Sequence, residues 1–582
     1  MAARKRNKQK NPASAPSYRA RRITLLALLG LSAVALAWRA VDQQIFETDF
    51  LQNEGQRRHL RVMDVSAHRG MITDRMGEPL AISTPVESIW ANPRVLSPDR
   101  RTLAPLAKLL DRKLDDLRQL LARRSDRSFV YLERQVPPHL AEQFSRMVRE
   151  QEIRGVGLQR EYRRYYPGGE VFGHVVGFTD VDDQGLEGLE LAFDQWLQGT
   201  SGRKRVIRDG HARVVKNVES IREPEEGKNL VLSLDRRLQF LAYRELKAAV
   251  KQHKAKSGSI VILDAVTGEV LTMVNQPAYN PNGSKQGGRG RLRNRAVTDV
   301  FEPGSTMKPF TVAAALESGR YHPRTRIDTT PGTMKVGRHQ VKDARNYGQI
   351  DVATVIRKSS NVGASKIALD MPRKDLWRFF SRLGFGESTG SGFPGEADGQ
   401  LTPYQRWASI DHATLSFGYG LSVTPLQLAR AYAVLAAGGI RRPVSLLRLE
   451  RAPEGERLMG AKTARAVLSM MEAVVSKEGS APGAAVAGYR VAGKTGTIKK
   501  SVAGGYAEDR YVAVFAGTAP ATAPRLVMVV MIDDPGADKY YGGQVAAPVF
   551  AKVMAGALRL MNITPDGLPA EGVRLVSAGV DQ

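Results

Sequence analysis

The sequence predicts an α+β protein with more than one domain behind a single N-terminal transmembrane helix, and three observations carry that reading. At 582 residues the chain is too long to close around one hydrophobic core. Residues 23–38 are uncharged and mostly apolar, and they follow Arg4, Lys5, Arg6, Lys8, Lys10, Arg19, Arg21 and Arg22 without an acid before them. The second half opens and closes with β-type runs and is helical in its middle, the pattern of an antiparallel sheet flanked by helices.

Taken in order, residues 1–22 form a basic tail that the positive-inside rule places in the cytoplasm, with everything beyond the anchor exported. The apolar run falls short of the roughly 20 residues of a spanning helix. Ala40 and Val41, with snorkelling by Arg22 and Arg39, extend the predicted anchor over residues 23–41. A cleaved signal peptide is the competing reading, because Ala33-Val34-Ala35 and Ala35-Leu36-Ala37 both resemble cleavage sites. Residues 42–225 mix short strands with charged helices and hold no evident catalytic cluster. Within them Leu186, Leu189, Phe193, Trp196 and Leu197 predict a helix that ends at Gly199.

Glu223-Pro224-Glu225-Glu226-Gly227 reads as a linker into a second domain over residues 226–561. That domain begins with an amphipathic helix at 235–254. An antiparallel hairpin follows, its strands 259–263 and 270–274 flanking a turn at Thr267-Gly268. Residues 280–295, rich in Gly, Arg and Asn, read as a mobile loop. Strands return at 511–516 and 526–532, a helix at 549–561 closes the domain, and 562–582 is a tail.

Composition narrows the function classes. With 42% hydrophobic and 25% charged residues the chain is globular. The absence of cysteine excludes disulfides and thiolate metal sites and suits an exported protein. The nine histidines have no metal-ligand spacing, so neither metal nor cofactor is expected. The net charge of +27 raises a nucleic-acid reading. The arginines are scattered without interleaved aromatics, and a basic surface beside anionic lipid and cell wall explains them better.

Three short motifs point to chemistry: Ser305-Thr306-Met307-Lys308, Ser359-Ser360-Asn361 and Lys494-Thr495-Gly496-Thr497. In this order they match the S-x-x-K, S-x-N and K-T-G elements of enzymes that acylate a serine with β-lactams or D-alanyl-D-alanine peptides. A serine hydroxyl needs a base within hydrogen-bond reach. Lys308, three residues on, shares a helix face with Ser305 and serves as that base if burial and nearby positive charge keep it neutral. Phe301-Glu302-Pro303-Gly304 reads as a turn into a helix N-terminus, with Pro309 in the first turn and Gly319 as the stop. Lys494 to Thr497 read as an edge strand with Thr495 and Thr497 on one face, Lys494 on the other, and Gly496 admitting a close peptide backbone. The backbone N–H groups of Ser305 and Thr497 are the candidate oxyanion hole.

On these motifs the chain resembles the class B penicillin-binding proteins, and the similarity runs over nearly its whole length. Arg69-Gly70-Met71-Ile72-Thr73-Asp74-Arg75 and Gly185-Leu186-Glu187-Gly188-Leu189-Glu190 resemble the signatures of that family's non-catalytic pedestal. Ser416-Phe417-Gly418-Tyr419-Gly420 running through Ala429, and Tyr540-Tyr541-Gly542-Gly543 running through Phe550, resemble stretches of its transpeptidase domain, closer to the division enzymes than to the elongation enzymes. The resemblance implies an uncleaved anchor in the inner membrane, a dimerisation-type pedestal over 42–225 and a β-lactamase-like transpeptidase fold over 226–561. It implies that Ser305 is acylated, Lys308 is the base, Ser359 relays a proton to the leaving amine and Asn361 binds the substrate amide. Lys494, Thr495 and Thr497 would hold the terminal carboxylate. The implied partners are peptidoglycan stem peptides, β-lactams, a septal glycosyltransferase and other division proteins of the membrane, with no nucleic acid.

Three alternatives are weighed against this. A serine β-lactamase shares the motifs, but no Glu-x-x-x-Asn-like element follows Ser-Ser-Asn to activate a deacylating water, and the anchor and pedestal would be superfluous. A noncatalytic scaffold or β-lactam sensor sits poorly with three intact motifs. Gly386-Glu387-Ser388-Thr389-Gly390 matches a nucleophile elbow, yet an elbow follows a strand, and the preceding residues 376–383 read as a helix.

Overall fold

The computed structural model describes residues 19–42, 60–65, 67–208, 214–283, 288–502 and 505–567. Most of the basic tail, the stretch 43–59, residues 284–287 of the expected mobile loop and the tail beyond 567 lie outside them. Helix α1 (Arg19–Val41) has 23 residues, none of them buried. At 1.5 Å per residue it spans about 34 Å, enough to cross a hydrocarbon core of about 30 Å. It is the one helix among the described residues long and apolar enough to do so.

The pedestal is built on two sheets. Strand β1 (Leu60–Val65) pairs antiparallel with β6 (Gly202–Arg208), which pairs with β7 (Val214–Arg222). In the second sheet the long β3 (Pro79–Ala91) pairs antiparallel with β2 (Ile72–Thr73), β4 (Val130–Val136) and β5 (Val156–Tyr165). Helices α2 (Arg100–Leu109), α3 (Leu114–Ala122) and α4 (Pro138–Glu150) pack their Leu103, Leu106, Leu117 and Phe144 against Ile89 and Leu132 as a separate core. Beside it lies a buried ion network. Arg69, 1% exposed, bonds Glu190 Oε2 (2.8 Å) and Asp194 Oδ1 (2.7 Å), while Arg164 takes the other Glu190 oxygen at 2.6 Å.

Three expectations change here. The helix read across Leu186 to Leu197 is a short strand (Gly185–Glu187) followed by two short helices, Gly188–Ala192 and Asp194–Leu197, that break at Phe193. Gly177 and Gly188 pack backbone on backbone, and a Cβ on Gly177 would sit 1.7 Å from the Glu187 carbonyl oxygen. That contact holds the start of the segment extended. The expected linker is docked rather than loose: Thr200 and Glu225 exchange hydrogen bonds, and Gly227 N–H donates to His68 O at 2.9 Å. Beyond it, β8 (Leu230–Val231) adds a parallel strand to β2, tying the two domains together. The loop after residue 278 is likewise pinned on both sides of 284–287. Asn282 accepts from Tyr166 N and donates to Tyr166 O, the Tyr279 hydroxyl donates to Gly173 O, and Asn294 bonds Asn275.

The second domain starts with α5 (Arg236–Gln252), capped by Asp235, which accepts from Arg237 N. Its sheet has the order β10-β9-β13-β12-β11 and is antiparallel throughout. The strands are β9 (Ser257–Asp264), β10 (Val270–Gln276), β11 (Ala492–Val502), β12 (Gly505–Ala519) and β13 (Leu526–Asp533). The buried runs Ile260-Val261-Ile262 and Val527-Met528-Val529-Val530 show a sheet covered on both faces. Helices α5 and α10 (Gly542–Leu560) cover one face, and α9 (Pro425–Ala436) covers the other. Helix α10 begins at Gly542, earlier than expected, because the chain accommodates Pro548 inside the helix while Val545, Ala546 and Ala547 bury against the sheet. Between β10 and β11 lies the helical insertion with α6 (Lys308–Glu317), α7 (Val352–Lys358) and α8 (Asn361–Leu369).

Candidate active site

The three motifs, far apart in sequence, meet where the helical insertion faces edge strand β11. Ser305 lies in a 3₁₀ turn, Gly304–Met307, which runs straight into α6. In that tighter turn residues i and i+3 eclipse, which brings Lys308 Nζ to 3.0 Å from Ser305 Oγ. The turn is clamped from three sides. Gly304 N–H donates to Gly418 O at 3.0 Å, the buried Tyr432 hydroxyl donates to Thr306 O at 2.9 Å, and Gly496 packs beneath Pro303.

Ser359 ends α7 with φ 58°, a left-handed conformation that costs a non-glycine residue energy and turns the chain sharply into α8. Ser360 caps α8 by accepting from Gly363 N at 2.9 Å. This turn brings Ser359 O (2.6 Å), Ser359 Oγ (3.0 Å) and Asn361 Oδ1 (2.8 Å) around Lys308 Nζ. From the opposite side Lys494 Nζ reaches Ser359 Oγ at 3.0 Å, so Ser359 joins the two lysines.

Both lysines are 0% exposed. Burial, reinforced by the charge of Lys494 and opposed by that of Asp343, pushes Lys308 well below the lysine range. Burial also lowers Lys494, to about 7. A neutral Lys308 has two N–H groups and one lone pair. Ser359 O and Asn361 Oδ1 are carbonyl oxygens that only accept, so they take the two N–H groups and leave the lone pair for the serine hydroxyls.

Strand β11 alternates as read from the sequence. Lys494 faces the lysine–serine cluster, and the hydroxyls of Thr495 and Thr497 face the other side. Thr495 Oγ1 is 3.3 Å from Ser480 Oγ, and Thr497 Oγ1 accepts from Gly542 N–H at 2.9 Å. The Thr495 carbonyl accepts from Lys494 Nζ at 3.2 Å and therefore points away from β12. Alternate residues of an antiparallel edge strand point the same way, so the Thr497 N–H also faces outward. Gly496 differs from expectation: a Cβ there would meet Pro303 O at 3.0 Å and the Thr306 methyl at 3.2 Å. Its bareness makes room for the chain's own nucleophile turn.

Ser388 lies in a loop after the helix Arg373–Arg382, and its carbonyl accepts from Arg430 at 3.1 Å. With a helix before it, the segment is no nucleophile elbow. Other contributors carry no sequence signal of their own. Asp343 accepts from Asn361 N, Val362 N and Ser360 Oγ. Glu302 accepts from Gly420 N and from the Tyr506 hydroxyl, whose ring packs on Tyr419. Gly418, by contrast, was within reach of sequence reasoning, in the Ser416–Gly420 stretch.

A serine and a fully buried lysine of lowered proton affinity at the foot of a helix, bridged by a second serine to a lysine on an edge strand, define a serine acyl-transfer site of the penicillin-recognising kind. Residues 258–555 match the penicillin binding protein transpeptidase domain, and residues 64–232 match the penicillin-binding protein dimerisation domain. The chain belongs to the penicillin-binding protein transpeptidase family, in its class B form with a dimerisation domain ahead of the catalytic one. Among its relatives, the peptidoglycan D,D-transpeptidase FtsI of Escherichia coli K12 is 45% identical over 574 residues, covering 97% of this chain and 96% of its own. The probable peptidoglycan D,D-transpeptidase PenA of Neisseria gonorrhoeae is 42% identical, covering 93% and 92%. The transpeptidase domain of Burkholderia pseudomallei penicillin-binding protein 3 superposes with a TM-score of 0.54 at 43% identity, over 58% of this chain and 98% of that one.

Proposed function

We propose that this chain cross-links the stem peptides of the septal cell wall as a D,D-transpeptidase. The observation that carries the reading is the contact of Lys308 Nζ with Ser305 Oγ inside a cluster where burial and Lys494 push Lys308 well below the lysine range. Ser305 Oγ attacks the carbonyl between the two terminal D-alanines while its proton passes to Lys308. The N–H groups of Ser305 and Thr497 stabilise the oxyanion, helped by the positive end of α6. Ser359, in contact with both lysines, passes a proton to the departing D-alanine amine. An ester on Ser305 remains. An acceptor amine then attacks it, loses its proton back through the same groups and takes the peptide, which frees Ser305. Asn361 binds the donor amide, and Thr495 and Thr497, with Lys494 behind them, hold the terminal carboxylate. A β-lactam enters by the first step and stays.

We assign the basic residues 1–22 to the cytoplasm, 23–41 to a single-pass inner-membrane anchor, 42–225 to the periplasmic pedestal, 226–561 to the transpeptidase domain and 562–582 to a tail. Anchor and pedestal dock with division proteins of the membrane, including the glycosyltransferase that supplies nascent strands. Labelling with a fluorescent penicillin and mapping the modified residue tests the chemistry: Ser305→Ala should abolish labelling with the fold intact, and a label elsewhere overturns the assignment. Depletion from a rod-shaped host should give undivided filaments. Round cells would assign the same chemistry to elongation.

A further inference from the structure

A cavity of about 750 Å³ opens between the pedestal and the second domain and shares no residue with the active site. Its size lies within the roughly 300–1,000 Å³ of small-ligand sites. Arg163 and Arg164, at the end of β5, line it on the pedestal side, and Asn280 and Arg291 line it on the other. Arg164 is 7% exposed and uses two of its three nitrogens: Nε donates to Glu190 Oε1 at 2.6 Å, and Nη1 donates to Ser83 Oγ at 3.1 Å. Its Nη2 is buried with no partner. A guanidinium nitrogen kept from water without an acceptor is costly, and folded proteins rarely leave one unless another molecule supplies the oxygen. Arg163 and Arg291 are exposed, and among the described residues no hydrogen bond or ion pair engages either guanidinium.

The two carboxylates in the lining are already engaged. Glu170 accepts from Lys247 Nζ at 2.8 Å, and Asp180 Oδ1 accepts from the N–H groups of Asp182 and Gln184. The cavity therefore offers positive charge and spare donors to an anion. It also offers an acceptor: Gln135 Nε2 donates to Tyr162 O and Val181 O, which leaves Gln135 Oε1 to receive an N–H. A phosphate would use the arginines alone, whereas a peptide ending in a carboxylate uses both. We propose that this cavity is a second, non-catalytic binding site for a peptide carboxylate, and that the acidic stem peptides of the wall are its ligand class. The carboxylate sits against Arg163, Arg291 and the free nitrogen of Arg164, and a neighbouring peptide N–H meets Gln135. Because each domain supplies one wall, a bound peptide ties the pedestal to the transpeptidase domain. The choice of wall peptides rests on the function proposed above, and the preference for a carboxylate rests on the cavity.

The test uses the full chain in detergent, first acylated with a penicillin so that the catalytic cleft is closed to peptide. A fluorescent synthetic stem peptide with free carboxylates should bind, and the same peptide with its carboxylates amidated should bind on the order of 10-fold more weakly or worse. Arg163→Gln combined with Arg291→Gln alters two exposed side chains and leaves the buried Arg69, Arg164 and Glu190 in place. Binding should then fall on the order of 10- to 100-fold, with an unchanged rate of penicillin acylation. The peptide should also raise the melting temperature of the acylated wild type and not that of the double variant. No binding by the wild type, equal binding of the acid and amidated peptides, or undiminished binding by the double variant overturns the proposal. So does inorganic pyrophosphate that displaces the peptide and binds more tightly, which would make the cavity a phosphate site. If the double variant fails to fold, the comparison of acid and amidated peptides on the wild type still decides. A penicillin label off Ser305 sinks the catalytic reading, whereas a chain labelled on Ser305 that binds no peptide sinks only the second site.

Discussion

Replacing Thr497 by valine keeps the shape of the side chain and removes one hydroxyl, and the structure says what that hydroxyl does. Thr497 Oγ1 accepts from Gly542 N–H at 2.9 Å, at the first turn of the 19-residue helix α10. With its acceptor side occupied there, the hydroxyl hydrogen is left to donate into the half-buried cleft, polarised by the helix N-terminus behind it. A donor to a charged carboxylate contributes about 1.5–3 kcal/mol, so Thr497→Val should slow acylation by roughly 10- to 150-fold. The variant also orphans the buried Gly542 N–H and should lose about 1–3 kcal/mol of stability. The decisive assay compares a penicillin with its methyl ester under stopped flow. The variant should lose rate on the free acid and far less on the ester, because the ester carries no anion. Equal slowing of both would refute carboxylate recognition by Thr497 and point to a displaced strand, and an unchanged rate on the acid would place the carboxylate elsewhere.

Three further outcomes follow from other parts of the molecule. Lys494 binds its proton less tightly in the folded chain, at about 7 against 10.5 when unfolded, so its burial penalty is full below pH 7 and fades as pH rises toward 10.5. Wild-type stability should therefore gain on that of Lys494→Met between pH 7 and 10, as read by thermal unfolding, and parallel curves would contradict the buried, destabilised ammonium. Gly418→Ala would place a Cβ 2.1 Å from Gly304 O at a residue with φ +87°, so acylation should fall on the order of 100-fold although no reactive group is touched. In the pedestal, Glu190→Gln leaves Arg69 and Arg164 buried with half their compensation. Unfolding should become about 3–5 kcal/mol easier while the folded enzyme acylates at its normal rate.

The sequence by itself determined what depends on local rules. Hydropathy and length gave the apolar helix α1, long enough to cross a membrane, because a helix satisfies its backbone groups within its own segment. Continuous apolar runs gave β9, β10 and β13, and helical patterning gave α5, because burial on both sheet faces or on one helix face is written along the chain itself. The three motifs, in the order a known family carries them, gave the eight candidate positions from Ser305 to Thr497, and residue chemistry accounts for the first pair, because a hydroxyl nucleophile needs a base within hydrogen-bond reach. What alternation could not supply was context from a distance. The helix expected over Leu186–Leu197 starts late because Gly177 and Gly188 press backbone on backbone and hold Gly185–Glu187 extended. The linker at 223–227 proved docked because its partners, Thr200 and His68, are remote in sequence. The depressed basicity of Lys308 comes from complete burial and from Lys494, 186 residues on, and the aim of Ser359 and Asn361 comes from Asp343, a plain aspartate in a short hairpin. Proton affinity and orientation are properties of the surroundings of a group, and only the tertiary structure assembles those surroundings.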